Sequence, residues 1–144
     1  MKKNRFILII FLIVSFSNSV LAENNFFEEG KVKYNEKNYK DSKFLFQRSI
    51  VFNPKATESY LYLAKIYNFE ENQNEEEKNI NTVLLLDPKN EEAIYMLIEV
   101  ELKKSNYSKV RELTDHFSEV CNKLCNKKDS ILDSLKNLEP KNES

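Results

Sequence analysis

The sequence predicts an all-α protein, an α-solenoid of about three antiparallel helical hairpins followed by a C-terminal capping helix. Three observations lead to this fold class. The chain has 144 residues with one glycine and three prolines, and these two residue types disfavour helix interiors most strongly. A short proline motif recurs at the length of one helical hairpin, and the apolar side chains between its copies recur at helical spacing.

The first 22 residues have the three-part layout of a secretory signal peptide. Lys2, Lys3 and Arg5 form a positive start, residues 6–16 are mostly apolar, and the segment ends at a cleavage signal before Glu23. A membrane-spanning helix needs about 20 apolar residues, so a cleaved signal is favoured over a retained anchor. We therefore expect an exported protein with no stable membrane anchor after cleavage.

The charge balance argues against a nucleic-acid partner. The chain has 22 basic and 23 acidic residues, and loss of the signal peptide leaves 19 basic and 23 acidic residues, a net charge of −4. A nucleic-acid-binding surface normally concentrates positive charge. A chain with one glycine also cannot build a glycine-rich phosphate loop, and we expect no cofactor.

A motif of an apolar residue, Asn or Asp, proline and lysine occurs at residues 52–55 and again at 86–89, with the prolines 34 residues apart. Proline disfavours helix in the residue before it and fits the first turn of a new helix. The spacing therefore predicts three repeats, at residues 23–56, 57–90 and 91–124. An ordinary helical bundle with two coincidental loops is the alternative.

The first helices of the predicted repeats can be compared with the pattern of known helical-hairpin repeats of this length, which have an apolar or aromatic residue, Leu, a small residue and Tyr at four positions. The pattern positions are Phe26, Glu29, Gly30 and Lys33 in the first repeat, Tyr60, Leu63, Ala64 and Tyr67 in the second, and Ile94, Leu97, Ile98 and Glu101 in the third. The four residues of the second repeat match the pattern closely, and those of the third match it partly. In the first repeat, only two of the four positions match. The position where the paired helices approach each other is usually small, and Glu76 and Val110 depart from that rule.

With these motifs, residues 24–138 resemble the tetratricopeptide-repeat family, as a small exported bacterial member. The resemblance implies a protein-interaction module or adaptor of the bacterial envelope, in the periplasm, with a concave groove that binds a partner protein or peptide. The implied groove residues are Phe27, Lys31, Tyr34, Leu61, Lys65, Asn68, Tyr95, Glu99 and Leu102. Some family members clamp a terminal carboxylate, but only Lys31 is basic among the corresponding positions, so we expect no such clamp.

After the third repeat, residues 127–138 are predicted to form a helix. Its apolar face would cover the last hairpin, because repeat stacks need a terminal element that is apolar inside and polar outside. Residues 139–144 are expected to form a flexible tail.

Cys121 and Cys125 are the only cysteines. In an oxidising compartment the pair predicts a structural disulfide. The alternatives are a redox-active dithiol, which would make the chain a periplasmic thiol-disulfide redox protein, a zinc site that includes His116, and two free thiols.

The sequence has no recognisable catalytic motif. His116, the only histidine, has no nucleophile motif near it. The acidic run at residues 75–77 is interpreted as the start of a helix, where carboxylates are favoured by the helix dipole. We therefore expect a protein that is not an enzyme, with no catalytic, cofactor-binding or metal-binding residues.

Overall fold

The structure, a computed structural model, describes residues 25–138, and every regular element in that range is helical. Helix α1 covers residues 25–35, followed by α2 (Tyr39–Phe52), α3 (Thr57–Phe69), α4 (Gln73–Leu86), α5 (Glu91–Lys103), α6 (Tyr107–Val120) and α7 (Lys128–Leu138), with a 3-10 turn at Cys125–Lys127. The predicted all-α helical-repeat fold is confirmed. The predicted signal peptide and tail lie outside the described residues.

The turns that follow α1, α3 and α5 have the same backbone geometry. Lys37, Glu71 and Ser105 have φ values of 59°, 57° and 58° and are spaced 34 residues apart. In the first turn, the N–H of Asn38 donates to the carbonyl oxygen of Lys33 at 2.9 Å. This is a Schellman motif, which satisfies carbonyl groups at the end of a helix. The same bond recurs in the other two turns, so the 34-residue period is visible in the backbone itself.

An asparagine follows each of these left-handed residues, at positions 38, 72 and 106. The side chains of Asn38 and Asn72 each accept a hydrogen bond, at 3.3 Å, from the backbone N–H three residues later. They therefore cap the N-termini of α2 and α4. The side chain of Asn106 donates to Glu101 instead, at 2.6 Å.

The proline motifs form the connections before α3 and α5. Asn53 and Asp87 end α2 and α4 in an extended conformation. Their side-chain oxygens accept the N–H groups of Lys55 and Lys89 at 3.0 and 3.2 Å, which closes an Asx turn around each proline. Helices α3 and α5 then begin at the first residues of the second and third predicted repeats.

The chain divides into two compact units between Ile66 and Tyr67. In the N-terminal unit, α1 and α2 approach closely at Gly30, where an added Cβ would lie 2.8 Å from a ring carbon of Phe46. The hydroxyl of Ser42 donates to the carbonyl oxygen of Gly30 at 2.9 Å. The absence of a side chain at Gly30 therefore allows Phe46 to be fully buried.

In the C-terminal unit, α4 packs on α5, α5 packs on α6, and α7 packs on both α5 and α6. The core consists of aliphatic side chains and one phenylalanine, chiefly Ile80, Val83, Ile94, Ile98, Val100, Val110 and Phe117. Ile131 and Leu135 are the buried residues of α7, whereas Leu132 and Leu138, the other apolar residues expected on that face, are exposed.

Two glutamates are buried in the C-terminal unit. Glu76 accepts a hydrogen bond from the side chain of Asn68 at 2.7 Å, and Glu101 accepts from Asn106 and, at 3.2 Å, from Lys104. Buried carboxylates need such partners, because an unpaired buried charge is costly. A small residue was expected at position 76, where the paired helices approach each other. Glu76 occupies this position and forms a polar contact with Asn68 instead.

Candidate functional site

Four aromatic rings of the N-terminal unit form a cluster, which we call the ring cluster: Phe27, Tyr34, Phe46 and Tyr62. Tyr62 lies at its centre, with its ring centroid 4.9 Å from Phe46, 5.0 Å from Tyr34 and 6.0 Å from Phe27. Phe46 is fully buried and the other three rings are half-buried. The buried ring supports the three others, which keep part of their surface open to a ligand.

Two lysines lie over rings of this cluster. The Nζ atom of Lys31 lies 5.2 Å from the ring centroid of Phe27, and that of Lys65 lies 4.9 Å from the ring centroid of Tyr62. These are cation–π distances. Lys31 also pairs with Glu28 at 3.1 Å, and the hydrogen bond that it donates to Glu28 raises the pKa of Lys31. Lys31 therefore carries its charge at any physiological pH.

The ring cluster and its lysines combine two kinds of recognition. The half-buried rings offer apolar surface with fixed orientation, which suits aliphatic or aromatic side chains. The two ammonium groups beside them suit a carboxylate. Such a surface can bind a chain segment in which apolar and acidic side chains alternate.

A second group of contacts surrounds Tyr95 in the C-terminal unit. Its ring lies 6.3 Å from Phe117 and 5.6 Å from the Nζ atom of Lys127. Burial, together with a hydrogen bond to Glu99, raises the pKa of Tyr95 to about 12. The hydroxyl is therefore protonated at neutral pH and donates to Glu99.

The groove residues predicted from the sequence differ in how far they remain accessible. Leu61 is 8% exposed and belongs to the core. Asn68 is half-buried and donates to Glu76, so its amide already serves the interior of the fold. The others are half-buried: Phe27, Lys31, Tyr34, Lys65, Tyr95, Glu99 and Leu102.

Four residues of these sites were not among the predicted groove residues, and two of them, Phe46 and Phe117, are fully buried. Tyr62 is the centre of the ring cluster, and Lys127 covers Tyr95. A signal for Tyr62 was present in the sequence, because Tyr62 and Lys65 are three residues apart and side chains at that spacing meet on a helix. Lys127 lies after the third repeat, and the repeat pattern predicts no groove residues in that segment.

Cys121 and Cys125 form a disulfide, with their Cα atoms 5.2 Å apart. The bond occupies both sulfur atoms, so neither is a thiolate that could bind zinc. His116 instead lies with its Nε2 2.8 Å from the carbonyl oxygen of Pro88. Within residues 25–138, no three His, Cys, Asp or Glu side chains are placed to hold a metal ion, and none of the helices is long and apolar enough to cross a membrane.

Several solved structures share this arrangement of helices. The TPR2B domain of yeast Sti1 in its pHsp70 complex has a TM-score of 0.73 and 15% identity, over 83% of this chain and 99% of that domain. The Yersinia enterocolitica type III secretion translocator chaperone SycD has a TM-score of 0.72 and 17% identity, over 79% and 83% of the two chains. The second TPR domain of human RPAP3, in complex with an HSP70 peptide, has a TM-score of 0.69 and 15% identity, over 85% and 99%.

No family model and no curated protein matches the sequence. The structural likenesses, together with the 34-residue period of the turns, show that this is an all-α helical-repeat protein. Its fold is the tetratricopeptide-repeat fold.

Proposed function

We propose that the protein is a non-enzymatic interaction module that binds a segment of a partner protein through the ring cluster and its two lysines. The observation that carries this proposal is that Tyr34 and Tyr62 remain half-exposed on a buried base while Lys31 and Lys65 lie directly over neighbouring rings. Aromatic residues that combine a fixed position with open surface often dominate the energy of protein interfaces.

The structural neighbours support a peptide ligand. The Sti1 domain is described as a complex with pHsp70, and the RPAP3 domain was solved with the HSP70 peptide SGPTIEEVD. SycD was also solved with a peptide of the translocator YopD. A tetratricopeptide-repeat fold is therefore able to hold a peptide, which is the role proposed for this chain.

The charges indicate which segments suit the ring cluster. Lys31 and its partner Glu28 form an exposed pair three residues apart on α1. Such pairs contribute about 0–1 kcal/mol, so a ligand carboxylate can replace Glu28 at small cost. The proposed ligand therefore carries an acidic side chain next to aliphatic or aromatic ones.

The proposed site of action is the periplasm of a bacterial envelope, where the protein would act as an adaptor. The basic start and short apolar run of the first 22 residues support export, and the disulfide is typical of an oxidising compartment. The mass of the protein recovered from cells tests this proposal: loss of residues 1–22 supports it, and retention of the full chain in the cytoplasm contradicts it.

Charge reversal at two matched lysines tests the binding proposal. Lys31 and Lys33 lie on the same helix, each pairs with a glutamate three residues away, and their side chains are 36% and 37% exposed. The tagged protein would be used to purify partners from an envelope extract. Lys31→Glu should reduce recovery of a defined partner by about fivefold or more, since a charge beside the ligand carboxylate is reversed. Lys33→Glu should leave recovery unchanged.

The proposal fails if both variants recover the partner as the parent protein does, or if both lose it alike. The first result would place the binding surface elsewhere, and the second would indicate a general charge effect. Tyr95→Ala examines the C-terminal unit separately, with circular dichroism to verify that the variant is folded. A loss of partner there, in a folded variant, would extend the binding surface to Tyr95.

A further inference from the structure

The outward side of α2 carries a row of cationic and apolar side chains. Lys40, Phe44, Arg48 and Val51 follow one another at intervals of four, four and three residues, so they lie on one face of the helix. All four are exposed; Phe44 is 57% and Val51 is 77% exposed. The opposite face of α2 contributes the buried residues of the core. We call this row, with the neighbouring Phe26 and Phe52, the α2 outer face.

Arg48 is held among aromatic rings on this face. Its guanidinium carbon lies 4.5 Å from the ring centroid of Phe26 and 5.7 Å from that of Phe44. Phe26 in turn stacks on Phe52, with 5.5 Å between the ring centroids. The guanidinium therefore lies against aromatic rings, so the cation and the apolar groups form one continuous surface.

The local charge is opposite to that of the rest of the protein. From Lys40 to Thr57 the chain has four basic side chains and one acidic one, Asp41, whereas the chain from Glu23 onward has a net charge of −4. An exposed stripe of positive and apolar side chains on an acidic protein is complementary to a surface that presents negative charge directly above hydrocarbon.

We infer that the α2 outer face makes reversible contact with the anionic phospholipid surface of a membrane. Phosphate groups and acyl carbons lie within a few ångströms of each other in a bilayer interface, and adjacent arginine and phenylalanine side chains can reach both at once. An acidic protein would need carboxylates and apolar groups in a matching arrangement, whereas a fluid lipid surface adapts to the row. The contact is distinct from the ring cluster and goes beyond the proposed binding of a partner protein.

The sequence allows a sharp test, because the chain has no tryptophan. Phe44→Trp places a single fluorescent reporter on the α2 outer face, and Leu85→Trp places one at a position that is 82% exposed on α4. Both are made in the full chain and mixed with phosphatidylcholine vesicles, with or without phosphatidylglycerol. The apolar run at residues 6–16 is common to both, so any binding through it affects them equally.

The emission of Phe44→Trp should shift to the blue with phosphatidylglycerol vesicles and stay unchanged with pure phosphatidylcholine, while Leu85→Trp stays unchanged with both. Adding Arg48→Gln, or separately Lys40→Gln, to the Phe44→Trp chain should weaken the vesicle partition coefficient about fivefold per charge. High salt should weaken it as well, because exposed charges are screened.

Three results would overturn the inference. One is an unshifted Phe44→Trp spectrum on anionic vesicles. Another is an equal shift of both reporters, which would show contact that does not involve the α2 outer face. The third is a shift of Phe44→Trp that grows with protein concentration in the absence of vesicles, which would identify a second copy of the chain as the occupant.

Discussion

Glu91, the first residue of α5, accepts a hydrogen bond at 2.7 Å from the backbone N–H of Asn122, which lies 31 residues later in the chain. The N–H groups of Lys123 and Leu124 also donate to this carboxylate, at 3.0 and 3.1 Å. These three residues are the loop that the disulfide closes. The hydrogen bond from Asn122 is the main cause of a lowered pKa at Glu91. One side chain thus connects the start of the third hairpin to the segment that leads into α7.

Replacing Glu91 with glutamine should weaken this connection. The charged acceptor is lost while the size of the side chain is kept, and we expect a cost of about 1 kcal/mol, since hydrogen bonds to charged groups are the stronger ones. Amide hydrogen exchange of residues 122–124 should become faster, which mass spectrometry or NMR can measure. Glu119→Gln, a change of the same kind on the exposed side of α6, should leave these amides unaffected.

The effect of Glu91 should also depend on pH. Because the folded protein lowers the pKa of Glu91, its stabilising contribution is present above the ordinary carboxyl pKa and is lost as the pH falls through the lowered value. The difference in stability between Glu91→Gln and the parent protein should therefore shrink below about pH 4. A constant difference from pH 7 to pH 2.5 in denaturant titrations would rule out a role for the charge.

Removal of the disulfide should loosen the C-terminal end without unfolding the hairpin before it. In the chain-entropy model, closure of so short a loop contributes about 2 kcal/mol. In a Cys121→Ser, Cys125→Ser protein, the amides of α7 should exchange faster by up to about thirtyfold, while those in the middle of α5 keep their protection. Equal loss of protection in both helices would show that the disulfide stabilises the whole unit.

The left-handed residues at the turns predict a stabilising substitution. Ser105 has a φ of 58°, which costs an L-residue about 1 kcal/mol and costs glycine nothing. Ser105→Gly should therefore raise the free energy of unfolding by about 0.5–1 kcal/mol. Ser108→Gly, the same change within α6, should lower it by a few tenths of a kcal/mol, because glycine loses more entropy in a helix. If the two variants change stability in the same direction, the turn geometry is wrong.

The contact between α1 and α2 predicts a coupled pair. Gly30→Ala places a methyl group 2.8 Å from the ring of Phe46, and overpacking of this kind costs about 1–3 kcal/mol. Phe46→Leu also destabilises, but it makes room for the methyl group. The double variant should therefore lose less stability than the two single variants together, by about 1 kcal/mol in a double-mutant cycle. Additive losses would contradict the close approach.

The sequence predicted those parts of the fold that repeat. The two proline motifs recur because each hairpin needs the same connection to the next, and α3 and α5 begin where the motif spacing places them. The contacts that do not repeat could not be predicted. Nothing in the sequence pairs Glu91 with Asn122, or the buried Glu76 with Asn68.

The sequence predicted only part of the candidate site, because repeat positions do not determine contacts that occur once in the fold. Repeat positions identify which side chains line the first helices, and this selected Lys31 and Tyr34. They do not show which of these side chains the packing leaves open, so Leu61 was included although it is in the core. The central position of Tyr62 depends on three rings from two other helices, and that packing is visible only in the folded chain.

The most direct test of the central claim is site-specific photocrosslinking in living cells. A photoreactive amino acid replaces Glu28, the exposed partner of Lys31 beside the ring cluster, in one strain, and Leu85, an exposed residue of α4, in another. We predict a discrete crosslinked protein of the cell envelope at position 28 and none at position 85. The same set of products at both positions, or no product at position 28, would contradict the assignment of the ring cluster as the partner-binding surface.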